Sequence, residues 1–245
     1  MRLLCNERVN ADEFVDDPAI SITDTRDTVF EQAIVNRWLG GARATLAHAV
    51  PLLHTYTAEP VRVLEAACGG ADLSRQLAQT ARRLGKHVEI VAMDLHDKVV
   101  DQARQLSAAY PEITCVQGDA LSPPFAHGEF DIVMLPTFIH HLQPDQVVAL
   151  LKMAQRLCRG TVIVADLVRS PLAYIGFWFF SHMVRFCPVT IHDGLVSVCR
   201  AYTPNELANF ARRAGLTQWN IYRHQIDRMV LVYAGMGEDN TGEVT

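Results

Sequence analysis

The sequence of 245 residues lacks a long apolar run, a surplus of basic charge, closely spaced cysteines and a three-glycine nucleotide fingerprint. Its most hydrophobic stretch, Leu172 to Phe180, gives way to Ser181-His182 well before the roughly 20 residues that a spanning helix needs. A bilayer-crossing segment is therefore excluded there. Residues 1–17 are acidic and have no apolar core of the secretory type, so export is not expected and the chain reads as cytoplasmic. With 27 acidic against 22 basic side chains and a formal net charge of −5, it has little with which to displace counterions from a phosphate backbone. Nucleic acid is not an expected partner. The six cysteines, Cys5, Cys68, Cys115, Cys158, Cys187 and Cys199, show neither a CxxC pair nor zinc-type spacing, so reduced thiols and no metal are expected.

What is present is 49% hydrophobic residues, enough to bury one substantial core. Val29, Phe30, Ala33, Ile34 and Trp38 recur at helical spacing, and a second apolar helix is expected over Ala44 to His54. From Val61 the pattern alternates. Strands are expected at Val61–Glu65, Val88–Met93, Ile113–Gln117, Phe130–Leu135 and Thr161–Ala165, with intervening helices that include Pro144–Leu157. This order predicts an α/β fold with a parallel sheet covered on both faces. After Asp166 the rhythm breaks for nearly forty residues rich in aromatic side chains, which reads as a cap over a pocket. Thr203-Pro204 with Glu206 marks a helix start. Two β-rich runs, about Thr217–Tyr222 and Arg228–Ala234, are too close for a crossover and should pair antiparallel. The resulting division is an N-terminal helical segment over 1–57, a domain over 58–235 with a cap insertion at about 167–202, and a flexible tail over 236–245.

Ligands of an open α/β sheet gather beyond the carboxyl ends of its strands. The first end reads Glu65-Ala66-Ala67-Cys68-Gly69-Gly70-Ala71-Asp72. Only two adjacent glycines stand there, which disfavours a dinucleotide; a tight turn without a ligand is the other reading. Asp94 ends the second strand, where a carboxylate can accept from two ribose hydroxyls or cap the next helix.

The Glu65–Ser74 segment resembles the first motif of class I S-adenosylmethionine-dependent methyltransferases, and three further motifs follow in order: Asp94, Gln117-Gly118-Asp119, and Phe130–Leu135 with Phe138-Ile139-His140-His141-Leu142. The resemblance implies a Rossmann-like fold with a seven-stranded, mostly parallel sheet and an antiparallel last strand. It also implies S-adenosylmethionine as cofactor, with Glu65 facing its ammonium group. Ala67, Cys68 and Gly69 would lie along its methionine part, Asp94 on the ribose, Leu95 beside the adenine, Asp119 and Ala120 at the adenine edge, and Leu135 and Arg37 nearby. Ala67 and Ala71 depart from the commoner glycines, and a left-handed conformation at either would cost about 1–2 kcal/mol.

The chain looks closest to bacterial enzymes of this family that methylate polyketide or quinone-like molecules, through Asp16-Asp17-Pro18, Asn36-Arg37, the stretch Asp166 to Tyr174 and the stretch His192 to Tyr202. This implies O-methylation of a hydroxylated, hydrophobic aromatic molecule by a monomer or homodimer. C-methylation of a similar ring, or cofactor binding without methyl transfer, are the alternatives. A phenolic acceptor, with a pKa of about 10, benefits from a base. His192 beside Asp193 is the favoured candidate, followed by His140 and His141. Tyr174, Trp178, Arg200 and Tyr202 are the candidate substrate contacts.

Overall fold

The computed structural model describes residues 5, 7–11, 13–14, 31, 34–35, 40–57, 59–224 and 227–236. Arg37, the Asp16-Asp17-Pro18 and Asn36-Arg37 patterns, most of the first expected helix and the tail beyond 236 lie outside the described residues.

Helix α1 (Gly41–Thr55) leads into β1 (Val61–Ala66), α2 (Asp72–Leu84), β2 (Val88–Asp94), α3 (Asp97–Leu106) and β3 (Ile113–Gln117). Then come β4 (Phe130–Pro136), a 3-10 turn (Ile139–His141), α4 (Pro144–Leu157) and β5 (Cys158–Leu167). Two helices follow, α5 (Pro171–Val184) and α6 (Pro188–Arg200), and then α7 (Pro204–Arg213), β6 (Trp219–His224) and β7 (Arg228–Ala234). The seven strands form one sheet in the order β3-β2-β1-β4-β5-β7-β6. Strands β1 to β5 pair in parallel, whereas β7 runs antiparallel to both β5 and β6. The expected Rossmann-like architecture is thus present, and the strand order reverses direction between β1 and β4, the place where ligands of such sheets bind.

The strands read as near-continuous apolar runs because helices cover both sides of the sheet. Val61 and Val63 of β1 pack with Leu53 of α1 and Leu77 and Ala81 of α2. Leu64 and Ala66 point to the opposite face, against Leu150 and Ala154 of α4 and Leu207 and Phe210 of α7. Asp131 closes the sheet's lower edge, where the β4–β5 register shifts. It accepts from the Arg62 amide (2.8 Å) and from both Nε (2.7 Å) and Nη2 (2.9 Å) of Arg159. Gly160 is needed beside it, since a Cβ there would collide with the Tyr56 hydroxyl and the Asp131 carbonyl.

Three differences from the sequence reading have physical reasons. Strand β5 extends beyond Thr161–Ala165 because β7 pairs with it from Thr161 to Leu167. The segment after Asp166 is a pair of helices; apolar residues all round α5 hide its period, and Phe177 packs over Gly194 to join α5 to α6. Cys5 and Cys199 are joined as a disulfide across 194 positions, so the expectation of six free thiols fails for this pair, whose separation gives no sequence signal. Among the described residues, no helix is long and apolar enough to cross a membrane.

Candidate active site

At the carboxyl end of β1 the chain makes a turn that requires unusual backbone angles. Ala67 (φ 57°), Gly69 (φ 53°) and Ala71 (φ 56°) all have left-handed backbones. The two alanines that depart from glycine therefore do carry the steric cost, about 1–2 kcal/mol each. Ala67→Gly should raise stability by about 1 kcal/mol, the relieved strain exceeding the extra entropy glycine gives the unfolded chain; an unchanged midpoint in urea would contradict this strain.

The turn is fastened from three sides. The Gly69 amide donates to Asp94 Oδ2 (2.9 Å), the Cys68 amide donates to the Met93 carbonyl (3.0 Å), and the Ser74 hydroxyl donates to Glu65 Oε2. Asp94 thus joins the ends of β1 and β2, and it does not cap α3, whose N-cap is His96. Glu65 is 1% exposed, and burial pushes its carboxyl up to about 8 despite the Ser74 hydrogen bond. Burial likewise pushes the Cys68 thiol up.

This donor set fits the methionine end and ribose of S-adenosylmethionine. A buried carboxylic acid with a raised pKa is what an ammonium group would ionise and pair with. Space in front of Gly69 is open, since an added Cβ would meet nothing within 4 Å. Leu95, 56% exposed, flanks the opening. Asp119 is exposed and accepts from the Leu121 amide (2.8 Å), which fixes its turn, with Ala120 buried behind it. Leu135 is fully buried in the sheet core, so its side chain is not at an open surface.

A second group of side chains gathers beyond β4 and β5. His140 is 2% exposed, its amide donating to Asp166 Oδ2 (3.0 Å) and its Nδ1 lying 2.8 Å from Asp166 Oδ1. Asp166 ends β5, so the 3-10 turn after β4 is tied to the neighbouring strand. Nε2 of His140 lies 3.8 Å from Glu13 Oε1, and Nε2 of His141 lies 3.8 Å from Glu13 Oε2. Glu13, 6% exposed, also accepts from the Ser197 hydroxyl (2.8 Å) and faces Nη1 of Arg200 at 3.8 Å.

The N-terminal segment is held over this group by Arg8. Its guanidinium donates to the carbonyls of Arg200 (2.8 Å), His140 (3.0 Å) and Leu142 (2.9 Å) and lies 4.5 Å from the Tyr202 ring centroid. The Phe14 amide donates to Asp193 Oδ1 (2.8 Å). The sequence reading singled out neither Arg8 nor Glu13, and placed no role on Asp166 or Ser197.

The other expected residues are distributed differently. His192 does meet Asp193, with Nδ1 2.9 Å from Oδ1, but its side chain is 43% exposed and its ring stacks on Phe14. Arg200 is buried and donates to the His141 carbonyl (3.0 Å), and the buried Tyr202 hydroxyl donates to the Leu142 carbonyl (2.6 Å). Both shape the turn that carries the histidines. Tyr174 is half-buried against Leu167, Val198 and Ala201, and Trp178 is 42% exposed beside Phe179.

Comparison with known proteins bears on the family and the fold. The family model described as "Methyltransferase domain" matches residues 63–160, from β1 to the start of β5. A 2-phytyl-1,4-naphtoquinone methyltransferase of Thermosynechococcus vestitus is 43% identical over 171 residues, covering 65% of this chain and 73% of that protein. A demethylmenaquinone methyltransferase of Desulfitobacterium hafniense is 25% identical over 201 residues, covering 75% of this chain and 76% of the relative. Among solved structures, a SAM-dependent methyltransferase from Aquifex aeolicus shares the fold with a TM-score of 0.60 at 11% identity, over 88% of this chain and 98% of that one. With its ordered strand-end motifs, its sheet topology and a relative of 43% identity, the chain belongs to the class I S-adenosylmethionine-dependent methyltransferases.

Proposed function

We propose that the enzyme methylates a hydroxyl group of a hydrophobic, quinol-like aromatic molecule. S-adenosylmethionine supplies an electrophilic methyl group on a sulfonium, and the thioether left behind needs no proton. The work left to the chain is therefore alignment of the acceptor and activation of its hydroxyl.

The observation that carries this reading is the buried Glu13–His140–His141 group beside the carboxyl ends of β4 and β5, next to the strand ends that fit the cofactor. His141 is its partly open member, with 25% of the side chain exposed, and can meet an acceptor that the buried His140 cannot. Helix α5 supports a hydrophobic acceptor: it has no Asp, Glu, Lys or Arg and leaves Leu172, Ile175, Trp178, Phe179 and Met183 exposed. Two curated relatives are named for naphthoquinone and demethylmenaquinone methylation, which supports a naphthoquinone-type ring, offered as its quinol, as the first acceptor to try.

The test is incubation of the full chain with methyl-labelled S-adenosylmethionine and a panel of naphthoquinols and alkylated resorcinols, with mass spectrometry and NMR of the product. A methyl ether is expected. A label on a ring carbon would replace the O-methylation reading by C-methylation, and no labelled product despite bound cofactor would overturn the acceptor class.

A further inference from the structure

We propose that Glu13, His140 and His141 form a binding site for one divalent transition-metal ion, with zinc the closest match to the donors. Two imidazole nitrogens and a carboxylate are a ligand set that holds zinc while leaving one position open. The three ligand atoms all lie within 4.8 Å of one another. Each imidazole Nε2 is 3.8 Å from a different oxygen of the same carboxylate, too long for a hydrogen bond. A tetrahedral ion with bonds of 2.0–2.1 Å separates its ligand atoms by about 3.3 Å, so small side-chain rotations close the group around an ion.

The surroundings prepare the ligands. Asp166 Oδ1 stands 2.8 Å from Nδ1 of His140; a carboxylate only accepts, so Nδ1 is the donor there and Nε2 is the nitrogen that faces Glu13. A carboxylate behind a histidine is the usual outer layer of a metal site, fixing the ring and raising its basicity. Ser197 donates to Glu13 Oε1 (2.8 Å) and Arg200 lies on the same oxygen side (3.8 Å), which turns Oε2 toward His141. The formal charges of a divalent ion, Glu13, Asp166 and Arg200 sum to +1, so an anionic fourth ligand would bring the site to neutrality.

The proposed ion site rests on the arrangement of these side chains; its use rests on the acceptor reading above. In that use the fourth position takes the acceptor oxygen as its anion. The hydroxyl proton passes to bulk water, the oxygen's electron pair forms the new O–CH3 bond, and the S–CH3 pair stays on sulfur.

Sequence spacing conceals such a site, because the carboxylate stands at position 13 and the imidazoles at positions 140 and 141. The test uses the full chain without an affinity tag, freed of metal with a chelator and titrated with zinc sulfate, followed by dialysis and metal analysis. Cobalt(II) provides a visible absorption readout, and S-adenosylhomocysteine binding reports the fold independently. One zinc per chain is expected. Asp166→Asn should weaken it by about 10–100-fold, Glu13→Gln and His141→Ala by more, and a variant at the exposed His54 should bind as the parent does. If Glu13→Gln fails to fold, His141→Ala decides. Failure of the parent to retain zinc, or equal retention by Glu13→Gln and His141→Ala, would overturn the site. Zinc bound as described with no quinol methylated would leave the site standing and remove the acceptor reading.

Discussion

Replacing Glu65 by glutamine is expected to weaken S-adenosylmethionine binding about 100-fold near pH 8, the loss typical of removing one partner of a buried charge pair. In the free protein Glu65 is protonated at neutral pH, because burial raises it from 4.5 to about 8. Pairing with the cofactor's ammonium requires the carboxylate, so binding releases a proton. Affinity should climb by up to tenfold per pH unit on approaching pH 8, then fall as the α-amino group itself, with a pKa of about 7.7–8.0, loses its proton.

The sign of the stability effect follows from the raised pKa. Glu65's contribution to the free fold is complete below about pH 4.5 and is lost as pH rises toward about 8. Cofactor pairing offsets that loss, so the thermal stabilisation by saturating cofactor should be larger near pH 8 than near pH 6. The Glu65→Gln protein should lack the acidic limb in both measurements. An unaltered pH profile in this variant would mean that another group faces the ammonium.

The second large effect is expected at the acceptor. Glu13→Gln and His141→Ala should each lower turnover by about 100- to 10,000-fold, the range associated with loss of hydroxyl activation, with cofactor affinity nearly unchanged. Stopped assays with a naphthoquinol, alongside calorimetry with S-adenosylhomocysteine, separate these two quantities. His192→Ala is the discriminating comparison: its half-exposed ring already faces Asp193 and Phe14, so a loss matching that of Glu13→Gln would return the activating role to His192.

The contrast between the two halves of the site explains what could be read from the sequence. The cofactor half is local. Glu65, Gly69 and Ser74 belong to one strand–turn–helix, and Asp94 ends the adjacent strand, so hydrophobic periodicity and a short motif locate them together. The same periodicity located α4 at Pro144–Leu157, and Thr203-Pro204 with Glu206 marked the start of α7, where Thr203 and Glu206 form a capping box. The acceptor half is assembled from positions 13, 140–141, 166 and 197–200. No periodicity connects them, and among the described residues Arg8, the Phe14 amide, Ser197 and the Cys5–Cys199 link hold the N-terminal segment against α6 and the histidine turn.

Adjacency in sequence places residues together without fixing what they do. The His192–Asp193 contact forms as anticipated, at 2.9 Å, but on the exposed side of α6. Arg200 and Tyr202, polar side chains that suggested ligand contacts, supply hydrogen bonds to the carbonyls of His141 and Leu142. A buried turn carrying two histidines needs such donors for its own backbone, and a sequence does not distinguish that need from ligand binding.

The most direct test of the account is calorimetric titration of S-adenosylmethionine into the full chain and into its Asp94→Ala variant. One site per chain is predicted for the parent. The variant should bind about 100-fold more weakly, because the ribose hydroxyls lose a charged acceptor and the Gly69 turn loses its fastening to β2. Equal binding by both proteins, or no binding by the parent, would contradict a cofactor site at the ends of β1 and β2.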